Sequence, residues 1–116
     1  MNTAHHARIF WVPSTQRNHF ALPTLLRYVA LSRFPEDGPQ WPDGAWSVVL
    51  QFMQPPAEAI EPVVSDAMVS FWVEEAPHER LHPGAQFSIY VGLTKMADVE
   101  IVGLTVPTGW ELNEST

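Results

Sequence analysis

Three residues in the stretch APHERLHPG, residues 76–84, have the types and order of a zinc-protease signature: His78, Glu79 and His82 read H-E-x-x-H. That chemistry needs both imidazoles on one face of an α-helix, four residues apart, with the glutamate aimed at a metal-bound water. The flanking residues oppose a helix. His82 precedes Pro83, and a residue before proline is driven out of the α region. Pro77 stands on the other side, and Pro83-Gly84 ends anything after one turn. A turn closed at both ends is a poor platform, since a short helix without a packed face is unstable. The expected role of the stretch is therefore a connection between two strands, with Leu81 turned into the core and Arg80 paired with an acid. No metal and no cofactor are expected, and a zinc-dependent hydrolase is the least favoured function.

Other catalytic patterns are missing. The chain has no cysteine, which excludes thiol catalysis, disulfides and cysteine-bound zinc. It contains neither a G-x-S-x-G elbow nor a G-x-x-x-x-G-K-[ST] phosphate loop. Adjacent acids such as Glu36-Asp37 and Glu74-Glu75 point apart on an extended chain and read as solvated surface. His5, His6 and His19 are expected in solvent.

The 116 residues suit one domain, expected to span 1–116 with 105–116 as a tail. Six Lys and Arg against 13 Asp and Glu give a net charge of -7. That balance disfavours nucleic acid and anionic lipid and suits a basic protein partner. The N-terminal stretch MNTAHHARIFWVPS lacks the apolar core of a signal peptide, and no segment approaches the roughly 20 apolar residues of a membrane helix. The expected compartment is the cytoplasm.

Eleven prolines leave few windows long enough for a helix. Six runs with turn residues at their ends predict strands: 7–12, 25–32, 46–52, 67–74, 86–91 and 95–104. Alternation places Trp46, Val48, Leu50 and Phe52 of the third in a core, with Val69, Phe71 and Val73 of the fourth. Phe87, Ile89 and Val91 of the fifth, and Ala97, Val99 and Ile101 of the sixth, complete it. Gly84 and Gly92 bound the fifth strand, and Gly103 marks a bulge in the sixth. Residues 35–44 and 54–66 are long loops, the second with room for one helical turn at 57–60, and Trp110 of the tail packs back on the domain. Six short strands with no helix to cover a sheet predict an all-β fold, a small closed or partly open antiparallel six-stranded barrel, with a β-sandwich as the alternative.

The same alternation turns Met68, Trp72, Tyr90 and Met96 outward, among Glu74, Asp98 and Glu100. Aromatics and methionines on an exposed sheet face suit a contact surface. These four are the candidate partner-binding residues, for a protein partner or for self-association; no small-molecule substrate is indicated.

At residues 84–92, GAQFSIYVG, the chain resembles the final hairpin of the third domain of elongation factor Tu, with Gly84, Phe87, Ile89 and Gly92 at the pattern's positions. The strand ending LQFMQP, 50–55, and Arg27 in LLRYVALSRF are similar to further strands of that barrel. Val91 stands where the family has a glutamate, and the usual glycines of its last strand are absent around 97–99. The resemblance implies a barrel that serves as a recognition module for RNA stems or partner proteins, without the GTPase domain. The leading expectation is a non-enzymatic protein-interaction module, with an RNA-binding barrel as the alternative.

Overall fold

The computed structural model of the chain describes residues 4–18, 20–58 and 60–103. Six antiparallel strands appear in it: β1 (His5–Trp11), β2 (Arg27–Arg33), β3 (Ser47–Phe52), β4 (Val64–Phe71), β5 (Gln86–Val91) and β6 (Thr94–Gly103). They close into a barrel in the order β1-β4-β3-β2-β5-β6, so the sandwich alternative falls away. Between strands, the helical turns among the described residues are three single 3₁₀ turns, at Ser14–Gln16, Pro56–Glu58 and His78–Arg80. The turn expected at 57–60 thus forms one residue earlier, at the Pro55-Pro56 pair. Residues 105–116, Leu104, Trp110 and His19 lie outside the described residues.

The core follows from period-two alternation on curved strands. Ala7, Ile9 and Trp11 of β1, Val48, Leu50 and Phe52 of β3, and Ala67, Val69 and Phe71 of β4 all point inward and are buried. Phe87 and Ile89 of β5 join them with Ala97, Val99 and Ile101 of β6. Phe34, just after β2, enters the same interior and stacks on Phe87, ring centroids 4.4 Å apart. Among the described residues one polar side chain is fully enclosed: Ser32 donates from Oγ to the Trp46 carbonyl at 2.6 Å, which satisfies it.

Turn chemistry frames β5 as expected. Pro83-Gly84 sits at the corner of a turn in which the Ala85 amide donates to the His82 carbonyl at 2.9 Å, with Gly84 at φ +87°. Proline followed by a residue of positive φ is the type II arrangement, which only glycine takes without strain. Gly92 at φ +59° opens the two-residue β5–β6 hairpin with a positive φ at the first corner, the type II′ pattern.

Two register shifts in β6 matter more. Opposite His6 and Ala7 the ladder skips Val102, placing a bulge beside Gly103 where the sequence indicates one. Opposite Ile89 and Tyr90 it skips Met96, since Tyr90 pairs with Lys95 and Ile89 with Ala97. A bulged strand bends and the extra residue loses its alternation. Met96 therefore turns inward beside Ala97 and is 1% exposed, which corrects its expected outward placement.

Strand order explains how the ends are built. On the ring, β1 lies opposite β2 and β4 lies opposite β5. The connector 12–26 must therefore cross one mouth of the barrel, and the connector 72–85 must cross the other. Each brings its own plug: Leu22 is buried in the first, and Ala76 and Leu81 in the second.

Candidate functional site

The four candidate residues do not form one surface. Met68 and Trp72 belong to β4 and its end, Tyr90 belongs to β5 across the ring, and Met96 is in the core. Consecutive strands in the sequence need not be neighbours in the sheet, and here β4 pairs with β1 and β3. Met68 is half-buried between His6 and Gln51 on the adjoining strands. Tyr90 is covered by a loop: the Trp41 ring lies 4.6 Å away, centroid to centroid, and is itself held by its indole N–H donating to the Ser32 carbonyl at 2.8 Å. Trp72 remains, 55% exposed.

Trp72 stands where β4 ends. Its amide donates to the Ser47 carbonyl at 3.0 Å, after which the chain bends and Val73 accepts from the Ala76 amide. The bend takes Val73 out of the alternation, so this side chain, expected in the core, is exposed.

The connectors 34–46 and 72–85 share this end of the barrel. Between them they carry six acids, Glu36, Asp37, Asp43, Glu74, Glu75 and Glu79, against Arg80 alone, a formal charge of -5 out of -7 for the chain. Arg80 fastens one connector to the other. Its guanidinium lies 3.3 Å from the Asp37 carboxylate and 5.3 Å above the Phe34 ring, and both partners of the ion pair are largely buried. Asp37 in turn accepts from the Phe34 amide at 2.8 Å. An exposed indole and an adjacent valine are thus held on a tied double loop with excess negative charge.

The H-E-x-x-H residues sit on the same connector without a shared face. His78–Arg80 is a single 3₁₀ turn. His78 packs edge-on against Phe71, centroids 5.6 Å apart, and its Nε2 donates to the Glu74 carbonyl at 2.8 Å, while its buried Nδ1 has no hydrogen-bond partner. His82 is exposed and its Nδ1 donates to the adjacent Pro83 carbonyl. Among the described residues no three histidine, aspartate or glutamate side chains are grouped to hold a metal ion. Leu81 is buried in the core as expected, and His78 adds an edge contact to Phe71.

β1 holds two further departures. His6 is buried and donates from Nε2 to Asp66 Oδ1 at 2.9 Å across the β1–β4 ladder, so it is not solvated. His5 is half-buried with its Nδ1 unpartnered, and burial pushes its pKa below the ordinary 6.5.

A groove of about 610 Å³ runs along the wall formed by β2, β5, β6 and β1, lined by Phe10, Arg33, Ser88, Tyr90, Asp98 and Glu100 among others. Ser88 Oγ donates to Asp98 at 2.8 Å and Lys95 approaches the same carboxylate at 2.8 Å. Among the described residues no histidine lines it to act as the imidazole base that activates a nucleophilic serine.

The positive charges are dispersed. Arg8, Arg17, Arg80 and Lys95 pair with Asp66, Glu61, Asp37 and Asp98, and Arg27 and Arg33 stand at opposite ends of β2. Among the described residues no helix is long and apolar enough to cross a membrane. No family model matches the chain, and neither a curated protein nor a solved structure is significantly similar to it.

Proposed function

We propose that the chain is a non-enzymatic protein-interaction module that engages a basic segment of a partner through the acidic end of its barrel, around Trp72. One observation carries the reading: an indole 55% exposed at the edge of two tied connectors with a net formal charge of -5. Tryptophan is among the residues that most often dominate a protein interface, and a surrounding field of one sign raises the encounter rate with a partner of the other. The resemblance of residues 84–92 to a translation-factor barrel agrees with a recognition role. The same resemblance raises RNA as a ligand, but four of the six basic side chains are already paired with carboxylates and the rest do not converge.

The test uses peptides of mixed sequence rich in lysine and arginine with one apolar anchor, titrated against the full chain by calorimetry. Binding should weaken at least tenfold in Trp72→Ser and in the pair Glu74→Lys, Glu75→Lys, and should fall with added salt. Equal binding by these variants sinks the proposal. Salt-sensitive binding of RNA that both variants retain would favour the alternative.

A further inference from the structure

The end of the barrel opposite Trp72 is apolar where the first is charged. Three connectors meet there: 12–26, which crosses the mouth, 53–63, and the Gly92-Leu93 hairpin turn. They expose Phe20, Leu25, Leu26, Met53, Ile60 and Leu93, with Ile60 at 90%, Leu93 at 75% and Leu25 at 72%. The connectors are knit to one another and to the wall. Glu61 accepts from the Ser14 amide at 2.9 Å, the Phe52 amide donates to the Leu26 carbonyl at 2.7 Å, and the Trp11 amide donates to the Val63 carbonyl at 3.1 Å. On the flank, Phe10 and Val64 face each other across the β1–β4 ladder, both exposed.

The apolar area is large for a monomer. Together these six expose on the order of 600 Å², comparable with the largest apolar patch on a typical monomer. A standard interface buries about 800 Å² on each partner, so a patch of this size would form most of one such surface.

Charge decides the occupant. The three connectors at this end carry Arg17 against Glu58 and Glu61, a formal -1, while the connectors at the other end carry -5. Two copies of an acidic chain repel unless their charges are kept apart. Meeting at the apolar ends separates the two acidic ends by the length of both barrels, each about 20–30 Å for strands of this length. That is several times the screening length of about 8 Å at physiological salt. A patch with so little charge also offers no sign by which to select a different protein, whereas a two-fold contact needs only self-complementarity. We infer that this face binds a second copy of the chain, end to end, in a two-fold dimer that leaves both Trp72 ends outward.

The full chain should therefore show a mass approaching twice 13.1 kDa by light scattering and equilibrium sedimentation as concentration rises from low to high micromolar. Leu25→Asp with Ile60→Asp should weaken dimerisation at least a hundredfold, since each dimer would bury four of the new carboxylates. Leu93→Asp alone, on a two-residue turn, should weaken it in the same direction and keeps the question open to a decision if the double variant fails to fold. Trp72→Ser should leave the mass unchanged, which separates this contact from the partner site. The inference is overturned if the unmodified chain stays at 13.1 kDa over the whole range, if dimer mass survives in both the folded double variant and Leu93→Asp, or if association dissolves steeply with added salt.

Discussion

Arg17 should be worth several times more to the fold than its ion-pair partner Glu61. The side chain is 7% exposed and makes three contacts: Nη1 donates to the Val12 carbonyl at 2.6 Å and to Glu61 at 3.2 Å, and Nε donates to the Phe20 carbonyl at 3.1 Å. Two of the three hold the connector that crosses the barrel mouth. A hydrogen bond from a charged donor contributes about 1.5–3 kcal/mol, so the two carbonyl contacts together account for about 3–6 kcal/mol. Glu61 is 43% exposed, which limits the ion pair to about 0–1 kcal/mol. Arg17→Ala is then expected to lower stability by about 3–6 kcal/mol. Glu61→Gln, which keeps one acceptor oxygen for the Ser14 amide and Arg17 and removes the charge, is expected to cost less than about 1 kcal/mol. In urea, with a slope of about 1–3 kcal/mol per molar for a small domain, the first change moves the midpoint by on the order of 2 M and the second hardly at all. Hydrogen exchange adds a local readout, because the Phe20 amide, bonded to the Arg17 carbonyl at 2.9 Å, should lose protection in Arg17→Ala well before the strands do. Equal losses from the two substitutions would refute the reasoning, since the ion pair and not the carbonyl clamp would then hold the connector.

Phe87→Ala removes a buried ring stacked on Phe34 and should cost about 3–5 kcal/mol by urea unfolding, and a loss below about 1 kcal/mol would invert the inward face of β5. Zinc titration should give no one-to-one uptake; His78→Ala should cost about 1 kcal/mol through its Phe71 contact, and His82→Ala nothing measurable, whereas equal loss of a tight zinc stoichiometry in both would restore the metal site. Burial depresses the pKa of His5, so the unfolded chain binds the proton more readily: its contribution to stability is complete above the ordinary value of 6.5 and declines as pH falls below it. The urea midpoint of the unmodified chain should therefore drop on acidification through pH 6 more than that of His5→Asn, and parallel curves would remove His5 from the account.

All six strands and nearly all of their inward faces were legible because alternation and proline are local signals. β5 matches to the residue, since Gly84 and Gly92 fix both ends through their own backbone angles. The misplaced side chains all sit where period two is interrupted. Met96 falls on a bulge and Val73 on a bend, and neither interruption carries a distinctive residue type. The second strand begins at Arg27 and not Leu25, leaving Leu25 and Leu26 exposed beside it, because an apolar pair ahead of a strand looks like its first turn inward. Strand order was beyond local reasoning altogether. It decides that Trp72 and Tyr90 face away from each other, and it brings Asp66 across from Arg8 and within hydrogen-bonding reach of His6.

The same strand order sets a condition on how the molecule is made. Arg8 of β1 pairs with Asp66 on one side and with Glu100 on the other, 58 and 92 residues further along the chain. During synthesis β1 has neither neighbour until late, and the wall cannot close before the bulged end of β6 has emerged. Contacts of such long sequence separation make folding slow, because the entropy of closing the loop is lost before the ladder forms. The β5–β6 hairpin, by contrast, closes over two residues. Folding should then start at the C-terminal side with that hairpin and finish when β1 enters the gap between β4 and β6, so a chain halted before residue 97 would hold an open sheet with two unsatisfied edges, a target for proteases and for other nascent chains.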